Sequence, residues 1–184
     1  DPTLVFATLT GSSSDNWGFT ATYDNDGDFY AGSIVLGGMI GWGSGNFNNS
    51  ANYPFTGGAY QTSFGGFVDV AISKFSSDGT TLLYSTYLGG NQMEEPHSLI
   101  CDDQKNLIIM GATSSTNFPV TPGAYQNSFG GGNYISYLDG INWNNGSDIF
   151  ITKLNAAGNS LIGSTFLGGS SNDGLALDGQ LNFN

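Results

Sequence analysis

The densest oxygen chemistry in the chain sits in five consecutive residues, Asp24-Asn25-Asp26-Gly27-Asp28. Alternate Asp side chains in a tight turn can converge on a hard cation, as the oxygen ligands of Ca²⁺ loops do, so Asp24, Asp26 and Asp28 are candidate Ca²⁺ ligands. The same residues equally satisfy a plain hairpin turn. A second stretch of this kind, Asp102-Asp103-Gln104-Lys105-Asn106, carries a Lys inside the loop, and no Glu follows at EF-hand spacing. His97 is the only histidine, and with Glu94, Glu95 and Cys101 nearby it brings metal or Cys/His chemistry to mind. On a regular strand His97, Leu99 and Cys101 share one face at packing positions, which predicts core roles instead. Asp69 and Asp148 lie 79 residues apart, each followed five residues on by a lysine, Lys74 and Lys153. Such recurrence points to a structural carboxylate that caps backbone N–H groups. The odd spacing puts each Asp and its following Lys on opposite strand faces, so they should not pair. Trp42, Phe47, Tyr134, Tyr137 and Trp143 lie in two Asn- and Gly-rich stretches and are candidate ligand-binding aromatics, of the kind found on glycan or protein contact surfaces.

The elements that position these residues are repeated. Asn52–Gly66 (NYPFTGGAYQTSFGG) and Asn117–Gly131 (NFPVTPGAYQNSFGG) share eleven of fifteen positions at an offset of 65 residues. Leu82–Gly90 (LLYSTYLGG) and Leu161–Gly169 (LIGSTFLGG) match at an offset of 79. The period is therefore 79. Two insertions account for the difference, one before the first motif copy (residues 36–51) and one after the second (residues 132–147). Insertions that change sides belong on loops. Alternation and turn residues predict strands over 4–9, 18–23, 28–35, 68–75, 81–88, 97–101, 106–110, 149–154 and 160–167, with hairpin turns at 24–27, 76–79, 102–105 and 155–158. No helical periodicity is sustained anywhere. The expected fold is all-β: propeller blades of four antiparallel strands, in an incomplete propeller of about two blades plus flanking strands. Residues 1–11 read as the end of a preceding blade, 12–90 and 91–169 as blades, and 170–184 as the start of a third. A β-sandwich of two similar halves is the rival. Gly-Gly after the fourth strand is expected to permit close approach and positive φ at the crossing. The Tyr and Phe of the motif (Tyr60, Tyr125, Phe64, Phe129) are expected to anchor it onto the blade.

Composition narrows function by exclusion. Fifteen acidic residues face three lysines and no arginine, a net charge of −12. Phosphate contacts need Lys and Arg, so nucleic acid is excluded as a partner, and anionic membrane surfaces are disfavoured. No apolar run is long enough for a membrane-spanning helix. The single cysteine leaves no intrachain disulfide, so packing or metal must supply stability.

The strings YSTYLGG, NFPVTPGAYQNSFGG and DIFITKLNAAGNSLIGSTFLGG resemble the SBBP repeat of seven-bladed β-propellers in bacterial secreted and surface proteins. In detail they look most like the propeller regions of Bacteroidetes gliding-motility-associated surface proteins. The resemblance covers nearly the whole chain and is specific for fold. It implies export by a type IX-like route, an extracellular or cell-surface location, and a non-enzymatic role in adhesion, binding or scaffolding. Implied partners are a protein or glycan outside the cell and further blades of the same propeller. It supplies no catalytic residues. The alternative is part of a propeller enzyme acting on polysaccharide, which would need paired carboxylates at a channel mouth.

Overall fold

The computed structural model describes residues 3–4, 6–14, 16–37, 52–136 and 141–175. These contain ten strands and no helix: β1 (Asn16–Tyr23), β2 (Phe29–Leu36), β3 (Val68–Phe75), β4 (Leu82–Leu88), β5 (Glu94–Cys101), β6 (Leu107–Thr113), β7 (Ile135–Ser136), β8 (Asn142–Trp143), β9 (Asp148–Leu154) and β10 (Leu161–Leu167). The protein is all-β. Strands β1-β2-β3-β4 form one antiparallel sheet, and β5-β6-β9-β10 form a second with the same up-and-down order. The pair β7–β8 is a small hairpin inside the second insertion, absent from the sequence expectation because two-residue strands leave no periodicity to read.

The two sheets agree in detail. β1 breaks register at Gly18/Thr20 and β5 at Pro96/Ser98, so Phe19 and His97 occupy matching bulges. The bulge takes His97 out of the alternation that the sequence suggests with Leu99 and Cys101. Its Nε2 lies 3.8 Å from Glu95, while Cys101 packs against the core. The first residues depart from expectation. Positions 4–9 form no strand over the described residues; the segment lies across the first sheet, with Phe6 edge-on to Phe29.

The sheets meet through unlike faces. Tyr30, Val70, Ile72 and Tyr84 of the first pack against Leu99, Leu107, Ile109, Phe150 and Phe166 of the second in one buried cluster. The closest approach is between β1 and β5. The face of the second sheet that corresponds to Tyr30 and Ile72 is covered at Ala112 but open farther along among the described residues: Met110 and Ile151 are exposed, although Ile72, 79 residues before Ile151, is fully buried.

The duplicated motif runs along the free edge of the fourth strand in each sheet. Thr56 N–H donates to Ser85 O and Tyr87 N–H to Gln61 O; Thr121 N–H donates to Ser164 O and Phe166 N–H to Gln126 O. This satisfies backbone groups that an edge strand would otherwise leave open. Phe64 packs on Tyr87 and Phe129 on Phe166, both with ring centroids 5.9 Å apart. The two tyrosines differ. Tyr60 is packed against the core, with its N–H on Gly158 O of the second sheet, whereas Tyr125 is 89% exposed and anchors nothing. Its counterpart contact needs a neighbouring sheet on the open side.

Candidate functional site

Two polar clusters lie at opposite ends of the sheets. The first is built on the β1–β2 turn. Gly27, with φ +80°, lets the chain reverse, and Asp24 Oδ1 accepts from the N–H groups of Asp26 and Asp28. The expected convergence of carboxylates occurs, but around ammonium groups. Lys74 Nζ lies 2.9 Å from Asp24 and 3.1 Å from Asp28, and Lys105 Nζ pairs with Asp26. Tyr30 Oη donates to Asp24 Oδ2, and Lys74 Nζ sits 4.9 Å from the centre of the Tyr30 ring. Burial pushes the Asp24 carboxyl up, but the bonds from Lys74, Tyr30 and the Asp26 amide outweigh it, and the group is held below its ordinary 3.8. Lys153 makes the matching bond to Asp102, at 2.7 Å. As the odd spacing requires, neither Lys74 nor Lys153 pairs with the Asp five residues before it. Among the described residues no three His, Cys, Asp or Glu side chains cluster as a metal group would need.

The second cluster sits where the chain leaves one sheet for the next. Asp69 and Asp148 cap backbone N–H groups, as their recurrence suggests. Asp69 Oδ2 accepts from Gly65 at 2.7 Å, and Asp148 accepts from Gly130 at 2.7 Å and Gly131 at 2.9 Å. The glycines at the end of the motif thus fold onto the first residues of β3 and β9. They also meet the Gly-Gly that follows β4 and β10. A Cβ on Gly65 would lie 2.6 Å from Gly90 O, and one on Gly130 only 1.9 Å from Gly169 O. Close approach is therefore what these glycines supply. The expected positive φ is not found at Gly89, Gly90, Gly168 or Gly169; at Gly89, Gly90 and Gly168 the constraint is space, while a Cβ on Gly169 would meet nothing within 4 Å.

Glu94 closes this second cluster, a structural place that its position in sequence beside His97 does not suggest. Its Oε2 accepts from Gly90 N–H at 2.9 Å and its Oε1 from Thr113 Oγ1 at 2.6 Å. Asp69 and Glu94 are both fully buried. They crowd the same glycine: a Cβ on Gly89 would lie 2.6 Å from Asp69 Oδ1 and 2.7 Å from Glu94 Oε2. Asp69 Oδ1 has no hydrogen-bond partner among the described residues. Burial, with the Glu94 charge adding to it, pushes Asp69 up to about 8 against the pull of the Gly65 and Gly66 amides. Burial likewise lifts Glu94 to about 7 against its donors Ser115, Thr113 and Gly90. The arrangement recurs after β10. Gly169 N–H donates to Asp173 Oδ2 at 2.9 Å, and Gly168 faces both Asp148 and Asp173. The signal was available: Leu88-Gly89-Gly90 and Leu167-Gly168-Gly169 are each followed four residues on by an acid, at Glu94 and Asp173, and Leu9-Thr10-Gly11 precedes Asp15 identically.

The candidate aromatics divide. Tyr134 is exposed, with its hydroxyl on Asn142 Oδ1. Trp143 is 1% exposed and packs beside Ile34, Leu36, Met93 and Ala112, so its ring offers no free face to a ligand. Trp42, Phe47 and Tyr137 lie outside the described residues. No protein-family model matches the chain, and comparison with curated proteins finds no significant match.

Proposed function

We propose that the chain is part of a non-enzymatic β-propeller of a bacterial secreted or cell-surface protein, which holds binding loops outside the cell. One observation carries this reading: like units meet through unlike faces, and the contact recurs. The Tyr84 ring lies on Gly158 of the following hairpin, and the Phe6 ring lies in the same way on Gly79. At the other end, the residues after β10 repeat the crossing after β4, with Asp173 in the place of Glu94 and Leu175 packed on the core. Face-to-face halves of a closed sandwich would use equivalent faces and leave no such series. Residues 3–11 then supply the edge of one blade and 170–175 the start of another. The two insertions leave from the end where the chain crosses between sheets, and they differ between copies while the motif keeps eleven of fifteen positions. They are the surface on which a protein or glycan would be recognised, with Tyr134 the exposed aromatic in the described part of the insertions.

The polysaccharide-enzyme alternative draws no support from the carboxylate pair, which is sealed from solvent. The test is a glycan array and a reducing-end assay run together on the chain and on Tyr134→Ala. Retained glycan binding that weakens in the variant, with no release of reducing ends, is expected. Release of oligosaccharides from any polysaccharide would overturn the non-enzymatic reading.

A further inference from the structure

We propose that Asp69 and Glu94 hold one proton between them, and that this shared proton locks the crossing between the two sheets. The geometry carries the idea. Two carboxylates from different sheets, one on β3 and one on β5, press on the same glycine, and neither reaches solvent. Three of the four oxygens have donors: Asp69 Oδ2 has Gly65, Glu94 Oε2 has Gly90, and Glu94 Oε1 has Thr113. The fourth, Asp69 Oδ1, has none among the described residues, and like Glu94 Oε2 it crowds Gly89. An anionic oxygen left so would carry its full desolvation cost. Two like charges this close in a buried site cannot both ionise near neutral pH. A proton taken from solvent onto Asp69 Oδ1 removes one of the two buried charges and with it the desolvation cost of the orphaned anionic oxygen.

Nothing nearby supplies the missing positive charge. The groups facing the pair are the Gly65, Gly66, Gly89 and Gly90 backbone, the Gln61 amide, the Thr113 and Ser115 hydroxyls, and neutral Tyr87. All three lysines are engaged with Asp24, Asp26, Asp28 and Asp102 at the hairpin end. Glu95 and His97 pair with each other at 3.8 Å, and Glu95 points to the opposite face of β5 from Glu94. At the second crossing both oxygens of Asp148 have amide donors and Asp173 is only partly buried, so the need is weaker there.

The sign follows from the raised pKa values, which make both groups weaker acids in the folded chain. The folded chain binds the proton more tightly than the unfolded one, whose Asp and Glu titrate near 3.8 and 4.5. The stabilisation is present on the acid side and is lost as pH rises through about 7 to 8. The experiment follows chemical unfolding from about pH 5 to pH 9 in the wild type, Asp69→Asn and Glu94→Gln, with infrared detection of the protonated carboxyl in the wild type. Asp69→Asn places a permanent N–H donor where the proton would sit. It is expected to match the wild type at pH 5, to exceed it at pH 9, and to weaken the protonated-carboxyl band that persists above pH 6 in the wild type. Equal destabilisation of Asp69→Asn at both pH values would overturn the proposal. So would a wild-type carboxyl band that is fully lost below about pH 5, which is readable even if a variant fails to fold.

Discussion

At the scale of single residues, charge is placed with economy. The chain has only three cations, and each is bonded to an Asp at the hairpin end. Asp24 and Lys74 are both buried, so removing the ammonium strands a carboxylate. Lys74→Met is expected to cost about 3 kcal/mol in urea unfolding, because a buried charge that loses its partner retains its desolvation cost. The lowered pKa of Asp24 gives an acid limb as well. Its contribution is present above its ordinary 3.8 and is lost as pH falls through its lower folded value. Combined with the Asp69–Glu94 pair, whose contribution is full only below its unfolded 3.8 and 4.5, this predicts a stability maximum near pH 4, falling on both sides, in a series of denaturation curves. Because ammonium groups already sit among Asp24, Asp26 and Asp28, a chelator is expected to leave the thermal midpoint unchanged. A downward shift on adding chelator would identify a cation at this turn. Lys105 shows what the ionic tie demands of the backbone. It is the one described non-glycine residue with positive φ, at 63°, where the first sheet has Gly27. The lysine accepts that conformation while its side chain reaches Asp26 of the other sheet.

At the scale of elements, the eight long strands were legible because alternation and Gly-containing turns mark them directly, and the ends agree within a few residues. The 79-residue period was also legible, from LGG and from the Asp–Lys pairs. The junction was not. Glu94 reads in sequence as one of two adjacent acids beside the only histidine, and that chemistry drew the eye to a metal or catalytic role. Only the fold shows that Glu94 turns inward to Gly90 while Glu95 turns to His97. Likewise, the preserved Gln61 and Gln126 look like surface polar residues until their Oε1 atoms are seen to accept from Gly89 and Gly168, each at 3.1 Å. The fate of the tyrosines was hidden because it depends on a neighbouring sheet, which no local pattern encodes. The junction has a sharp requirement for small residues. Gly89→Ala would place a methyl within 2.7 Å of two carboxylate oxygens. It is expected to lower stability by about 2 to 3 kcal/mol, the scale of overpacking. Gly163→Ala, with nothing within 4 Å of its added carbon, is expected to change little and serves as the control in the same urea titration.

At the scale of the whole molecule, the difference between covered and open faces decides what substitutions do. Ile72 and Ile151 are equivalent by repeat, but one is enclosed between sheets and the other is on the surface. Ile72→Lys is expected to abolish cooperative folding, since it would bury an unpaired charge. Ile151→Lys, alone or with Met110→Lys, is expected to leave the unfolding midpoint within about 0.5 kcal/mol and to reduce concentration-dependent association. Circular dichroism and size-exclusion chromatography separate the two effects. Equal damage from both substitutions would mean that the open face is covered. The unlike-face contact also bears on how such a chain can lengthen. A unit that binds its neighbour through two different surfaces already carries, in one copy, both halves of every interface that it will need. Tandem duplication of a 79-residue stretch therefore creates a working junction at once, with no compensating substitution. Divergence is then free to concentrate in the loops, which is where the two copies differ most.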